Sequence, residues 1–276
     1  MIRAAMDDRR FVGLLLEERY EVLRPLARGG MGQVYVAHDK KLAVDVAVKF
    51  LVLRDGSTPS ADLEQRFEGE AKILAKVRDP RVLRPLSWGR TPDGVMFMVT
   101  ELLEGRPLDA LLREEGTIDA LRAVRILVDV CRALAETHGA GVLHRDLKPA
   151  NLFLQRSRGG EERTVVLDFG IAKIAGDPAA SPDTTPGVVL GTVSYMSPEQ
   201  ARAKNAVPQS DLYALGVVMY ECLIGAPPFE GDSVHVMLAH VTEPVPTFES
   251  KGRSVDPELE SIVRWMLEKE IGSRPV

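Results

Sequence analysis

HRDLKPAN, residues 144–151, gathers His144, Arg145, Asp146, Lys148 and Asn151 into one short stretch. Alone it reads as a charged turn after a strand. Its weight comes from what surrounds it. DFG follows at 168–170, with Asp168 placed 17 residues after Asn151, and SPE stands at 197–199. Upstream lies AVK at 47–49, where Lys49 closes an apolar strand pattern, DVAVKFL. Asp146 is a carboxylate able to accept a hydroxyl proton, and Lys148 is a cation two residues away. Asn151 and Asp168 are hard oxygen donors of the kind that suit Mg²⁺ held jointly with phosphate oxygens.

Further upstream, PLARGGMGQVYVAHD (25–39) holds Gly29, Gly30 and Gly32. The pattern G-x-G-x-x-G would need a glycine at 27, where Ala27 stands, so the match is incomplete. No Gly-Lys-Ser/Thr follows, which excludes a Walker-type loop. The stretch reads as a strand-turn-strand flap. Gly29 and Gly32 are expected to let backbone approach a ligand closely, and Gly30 to add turn freedom. Ala27 is expected to be extended, since alanine is comfortable wherever φ is negative.

Composition sets bounds. The chain has 276 residues, enough for one large domain or two lobes, and a formal charge of −5. It does not have the basic balance of a nucleic-acid binder. Cys131 and Cys222 sit in apolar helical patterns and are read as core residues. The N-terminus has charges on both sides of a very short apolar run and is no signal peptide. No apolar run approaches the roughly 18 residues needed to span a membrane. A cytoplasmic location is therefore expected. The chain stops at SRPV within what reads as continuing structure, which suggests a longer protein and leaves open an anchor beyond residue 276.

Period-2 alternation in EVLRPLA, GQVYVAHD, DVAVKFLVL and VMFMVTEL predicts strands, interrupted by one helix, SADLEQRFEGEAKILAKV. From residue 106 the chain reads as mostly helical, amphipathic in IDALRAVRILVDVCRALAETHGAG, SVHVMLAHV and DPELESIVRWMLEKE, and apolar nearly all round in QSDLYALGVVMYECLIG, which predicts a buried helix. VLHRDL, NLFLQ and TVVLDF read as short strands. Periodicity alone predicts an α+β protein. It is divided into an extension (1–18), a β-rich lobe (19–103) and a helical lobe (104–276).

The ordered set resembles the protein-kinase signature from about residue 20 to the end. GGMG, HRDLKPAN and GTVSYMSPEQ look most like bacterial Hanks-type serine/threonine kinases. The resemblance implies a bilobal fold using ATP and Mg²⁺ or Mn²⁺, with Asp146 as base and Lys148 at the γ-phosphate. Asn151 and Asp168 would hold the metal, and Lys49 would contact the α- and β-phosphates and pair with Glu70. Glu68, the runner-up, lies roughly 200° around the helix from Glu70. It also implies an ATP site that includes Ala27, Gly29, Gly30, Gly32, Ala47 and the gatekeeper Thr100, with Val34 over the adenine and the backbone of Glu101 and Leu103 bonded to it. His144, Leu74 and Phe169 match packing residues. Asp211 is expected to bond the backbone near HRD, and Glu199 to pair with Arg274. Ser181, Thr184, Thr185 and Thr192 are candidate phosphorylation sites, with Arg145 or Lys173 as clamp. The implied partners are protein substrates and a homodimer for trans-autophosphorylation. A pseudokinase scaffold is the alternative reading, and a small-molecule kinase ranks below it.

Overall fold

A computed structural model describes residues 9–29, 32–52, 61–156, 159–169, 193–252 and 254–276, without the side chains of 28, 29, 61–63, 66 and 70. The chain divides into two compact units, Met1–Arg78 with Leu83–Leu103, and Asp79–Val82 with Glu104–Val276.

In the first unit, alternating apolar residues place Tyr35, Ala37, Val46, Val48, Phe50, Phe97 and Val99 in one buried cluster with Phe11, Leu16, Tyr20 and Val22. Burying a side chain such as Phe50 contributes about 2 kcal/mol. The strands that carry them are β1 (Leu15–Leu16), β2 (Tyr20–Gly29), β3 (Gly32–Asp39), β4 (Val44–Leu51), β5 (Pro85–Arg90) and β6 (Met96–Glu101). They form one antiparallel sheet in the order β1-β2-β3-β4-β6-β5. Phe11 stacks on Phe50 with ring centroids 3.9 Å apart, so the chain joins this core well before β2. Helix α1 (Ala61–Leu74) buries Phe67, Ala71 and Leu74, spaced as one helical stripe.

In the second unit, helices α2 (Leu108–Glu115), α3 (Ala120–Gly139), α4 (Pro198–Ala201), α5 (Pro208–Ile224), α6 (Ser233–Thr242) and α7 (Pro257–Met266) accompany a small antiparallel sheet. Its strands are β7 (Gly105–Pro107), β8 (Leu152–Arg156) and β9 (Glu162–Val166). Asp119, Asp232 and Asp256 cap α3, α6 and α7 by accepting their first free N–H groups. Helix α5 is apolar almost all round and is buried accordingly, packed against α3 and α7. Both cysteines are free. No helix of the described residues is long and apolar enough to cross a membrane.

One expected strand is absent. Residues 142–147, VLHRDL, run as irregular chain rather than a strand. The reason is hydrogen-bond supply. The N–H groups of His144 and Arg145, which a sheet neighbour would have to receive, are taken by the Asp211 carboxylate at 2.8 and 2.7 Å. Arg145 adopts a left-handed backbone (φ +62°), which no strand accommodates.

Candidate active site

The candidate residues divide between the two units. In the first, the strand register sorts them onto one face. Ala27 pairs with Val34, Val34 with Lys49, and Ala47 with Thr100. Residues directly opposite in an antiparallel sheet share a face, and alternate residues along a strand do too. Ala27, Val34, Ala47, Lys49 and Thr100 therefore stand together on the face opposite the Phe11–Phe50 core. Ala27 is a strand residue, extended as expected. Gly29 pairs with Gly32, the last pair of the β2–β3 ladder.

Gly32 has a cause the sequence did not disclose. A Cβ there would run into the carbonyl oxygen of Phe50 on β4. The glycine lets two strands approach one residue from Lys49, whatever it does toward a ligand. Glu68 is engaged at the helix surface by Lys72 (3.8 Å) and Arg90 (4.0 Å). The Glu70 side chain lies outside the described residues. So do Gly30, Lys173, Ser181, Thr184, Thr185 and Thr192. Thr100 is buried and donates to the Glu101 carbonyl at 3.3 Å; Glu101 is exposed and Leu103 half-buried.

In the second unit, HRDLKPAN is held from below. Asp211, on the first turn of α5, is 1% exposed and accepts three donors. These are the N–H groups of His144 and Arg145, and Nε2 of His138 at 2.8 Å. His138 is thereby a bracing residue at the end of α3. The His144 ring is fully buried. Its Nε2 faces the Leu167 carbonyl at 2.9 Å, and a carbonyl only accepts, so Nε2 carries the proton. Nδ1 then accepts the Asp146 N–H at 3.3 Å. Burial lowers the His144 pKa, although Asp211 and the Leu167 carbonyl pull it up. The ring packs on Phe169 with centroids 4.9 Å apart. His144 is thus packing, as read from sequence.

These supports aim the functional groups. Lys148 Nζ donates to Asp146 Oδ2 at 2.7 Å. Asn151 Nδ2 donates to the Asp146 carbonyl at 2.8 Å and to its carboxylate at 3.4 Å. The Asn151 carbonyl receives the Leu167 N–H at 2.8 Å, which brings the chain before Asp168 beside Asn151. Asp168 itself has a left-handed backbone (φ +45°). Such a conformation in a non-glycine residue costs about 1–3 kcal/mol and persists only where its surroundings impose it.

The SPE sequence is fixed to the same loop. Gln200 Nε2 donates to the Arg145 carbonyl at 3.0 Å. Glu199 pairs with Arg274 through two 2.8 Å contacts and also receives the Ser210 hydroxyl. Burial would raise the Glu199 pKa, but Arg274 and Ser210 outweigh it and the net shift is downward. Tyr195 donates to Glu221 at 2.6 Å, a contact that no motif in the sequence announced. A cavity of about 470 Å³ lies against Asp109, Lys148, Pro149, Tyr195 and Glu221.

The protein kinase domain family matches residues 20–276 of the chain. The chain belongs to this family. Similar to it are serine/threonine-protein kinase pkn3 of Myxococcus xanthus (38% identical, covering 98% of this chain and 50% of that protein) and PknB of Mycolicibacterium smegmatis (39%, covering 94% and 41%). PknA of Mycobacterium tuberculosis is 37% identical, covering 96% of this chain and 59% of its own. The chain thus spans about half the length of these relatives. The protein-kinase resemblance drawn from HRDLKPAN is borne out, and the relatives named are serine/threonine-protein kinases.

Proposed function

We propose that this kinase domain transfers the γ-phosphoryl group of ATP to Ser or Thr hydroxyls of proteins. The observation that carries the reading is the Asp146 carboxylate, held 2.7 Å from Lys148 Nζ and braced by Asn151. Asp146 accepts the proton of the acceptor hydroxyl as its oxygen bonds the γ-phosphorus. The bond from that phosphorus to the β-γ bridging oxygen breaks, and ADP departs. Lys148 stands where it offsets negative charge on the transferring group, the main demand of this chemistry. Asn151 and Asp168 supply the amide and carboxylate oxygens suited to Mg²⁺ or Mn²⁺, which when bound neutralises phosphate charge. Ala27, Val34, Ala47 and Thr100 share a sheet face with Lys49, which suits a planar base next to a phosphate chain; Glu101 and Leu103 would meet that base through their backbone. Glu70 pairs with Lys49 in this reading.

Activation follows from Arg145. Its backbone is fixed by Asp211 and Gln200, so its guanidinium projects from a rigid base. A phosphate on Ser181, Thr184, Thr185 or Thr192 would find a charge-assisted partner there. Phosphorylation in trans between two copies would supply it. The reaction belongs in the ATP-rich cytoplasm.

The test is ³²P transfer from ATP to casein by the wild-type chain and by Asp146→Asn. Transfer that falls at least 10³-fold in the variant, with ATP binding retained, supports the reading. ATP binding with no transfer by the wild type would make the chain a nucleotide-binding scaffold. Transfer that survives the substitution would remove Asp146 from the role of base.

A further inference from the structure

Helix α6 carries a buried histidine that none of the kinase motifs uses. His240 is 0% exposed, among Val193, Phe229, Val236 and Ala239. Its Nε2 lies 3.0 Å from the Ser194 carbonyl oxygen, and its Nδ1 2.9 Å from the Tyr213 hydroxyl. The Ser194 carbonyl only accepts, so Nε2 bears the proton and Nδ1 accepts the Tyr213 O–H. Lys269 Nζ completes the series, 3.5 Å from the Tyr213 oxygen and 3.4 Å from the Ala239 carbonyl, over the Phe229 ring at 4.6 Å. Every proton in the chain Lys269, Tyr213, His240, Ser194 points the same way. Burial, and then the Lys269 charge, push the His240 pKa down to about 4, so the ring is neutral at physiological pH and holds this tautomer.

An apolar side chain would fill the same volume but would leave the Ser194 carbonyl and the Tyr213 hydroxyl without this partner. Burying an imidazole exchanges two water contacts for two protein contacts and gains little net stability. What the imidazole adds is direction. It fixes the main chain at Ser194, three residues before the SPE sequence begins.

That main chain borders the catalytic loop. Tyr195, the next residue, lines the 470 Å³ cavity together with Lys148, Pro149 and Ala150. Lys148 is the cation bonded to Asp146. The far end of the segment is tied to the Arg145 carbonyl by Gln200. Tyr195 is therefore part of the wall of the space beside Lys148, and His240 anchors the main chain of the residue before it.

We propose that His240, oriented by Tyr213, is a positioning residue for the protein substrate: it holds the Ser194 main chain so that the cavity wall beside Lys148 receives the chain flanking the acceptor hydroxyl. The proposal rests on the kinase reading and adds to it a determinant of substrate affinity separate from the ATP site.

Steady-state kinetics with casein, ATP hydrolysis without acceptor, and thermal unfolding of the same chain test it. His240→Phe keeps the ring volume and removes both hydrogen bonds. It is expected to raise KM for casein about tenfold, with KM for ATP and acceptor-free hydrolysis within twofold of wild type. His240→Gln restores an N–H donor at similar reach and is expected to return KM for casein to within threefold. Tyr213→Phe releases Nδ1 and is expected to raise it three- to fivefold. Unchanged KM for casein in His240→Phe overturns the proposal. So does a parallel loss in casein KM, ATP KM and unfolding temperature that His240→Gln fails to rescue, because that pattern marks packing alone. Should His240→Phe not fold, Tyr213→Phe decides, and a wild-type casein KM there overturns it. Absence of phosphoryl transfer by the wild type would instead overturn the kinase reading, and the proposal with it.

Discussion

Asp211 holds Arg145 in a left-handed backbone conformation, its Oδ1 accepting the Arg145 N–H at 2.7 Å with φ at +62°. The two residues are far apart in sequence, so tertiary structure imposes this local geometry. The same carboxylate receives His144 N–H and His138 Nε2. Asp146 follows directly, so its aim depends on this bracket.

Asp211→Asn keeps the shape and removes one acceptor oxygen and the charge. Its new NH₂ group faces donors, which leaves at least one of them unpaired. Hydrogen bonds to charged groups contribute about 1.5–3 kcal/mol each. A loss of about 2–3 kcal/mol is expected, lowering Tm by roughly 4–10 °C for a domain of this size. Turnover is expected to fall at least tenfold at temperatures where the variant is folded. Calorimetry with a single-turnover assay checks both. Wild-type turnover in a destabilised variant would separate the bracket from catalysis.

The Glu199–Arg274 pair predicts an asymmetry. Arg274 has 0% side-chain exposure, and besides Glu199 it donates to the carbonyls of Glu268, Gln209 and Lys269. Removing one partner of a buried pair costs about 3–5 kcal/mol. Glu199→Gln leaves three of those guanidinium contacts in place and belongs at the low end. Arg274→Met also strands three carbonyls and belongs at the high end. Urea denaturation of both variants measures the difference, and equal losses would contradict it.

Much of this was legible in the sequence, for reasons that particular residues make plain. The strands around Lys49 were readable because their apolar residues keep one period, and the helix of Asp211 because its long apolar run suits only a buried helix. Asp146, Lys148 and Asn151 were picked out together because they share one eight-residue stretch, and the fold brings them within hydrogen-bond reach of one another. The backbone of VLHRDL was not, because its donors go to Asp211, far along the chain. PLSWGR was missed as β5 because Pro85 and Gly89 blur the alternation, while pairing with β6 overrides propensity. His240 was invisible because SVHVMLAHV reads as an ordinary amphipathic helix; its importance lies in the Tyr213 and Ser194 groups it meets.

The flap contains two small residues with opposite predicted tolerance. Ala27 is a strand residue opposite Val34, so Ala27→Gly is expected to shift KM for ATP less than tenfold, or ~1.4 kcal/mol. Gly32→Ala adds one methyl against the Phe50 carbonyl, and backbone must move to accept it. That movement falls beside Lys49, so a stability loss of about 1–3 kcal/mol and a raised KM for ATP are expected together. ATP titrations and urea midpoints on both variants check the contrast. A tolerant Gly32→Ala would mean the strands separate there at little cost.

Acid sensitivity in the sheet is expected at Asp39. Its carboxylate is 1% exposed and accepts both Arg19 Nε (2.9 Å) and Nη2 (2.6 Å), with the N–H groups of Lys41 and Leu42 alongside. The Arg19 hydrogen bonds lower its pKa from 3.8 to about 2, against the upward push of burial and with help from the two backbone donors. A carboxylate depressed in the folded state contributes stability above its unfolded pKa and loses it as pH falls through the folded one. The contribution is therefore complete above about pH 5, begins to fall near 3.8, and is gone below about 2. Asp39→Asn cannot titrate. The gap in urea midpoint between wild type and this variant should be constant from pH 7 to about 5 and narrow steadily from about pH 4 to 3. A gap that stays constant to pH 3 would show that Asp39 ionises alike in the folded and unfolded chain.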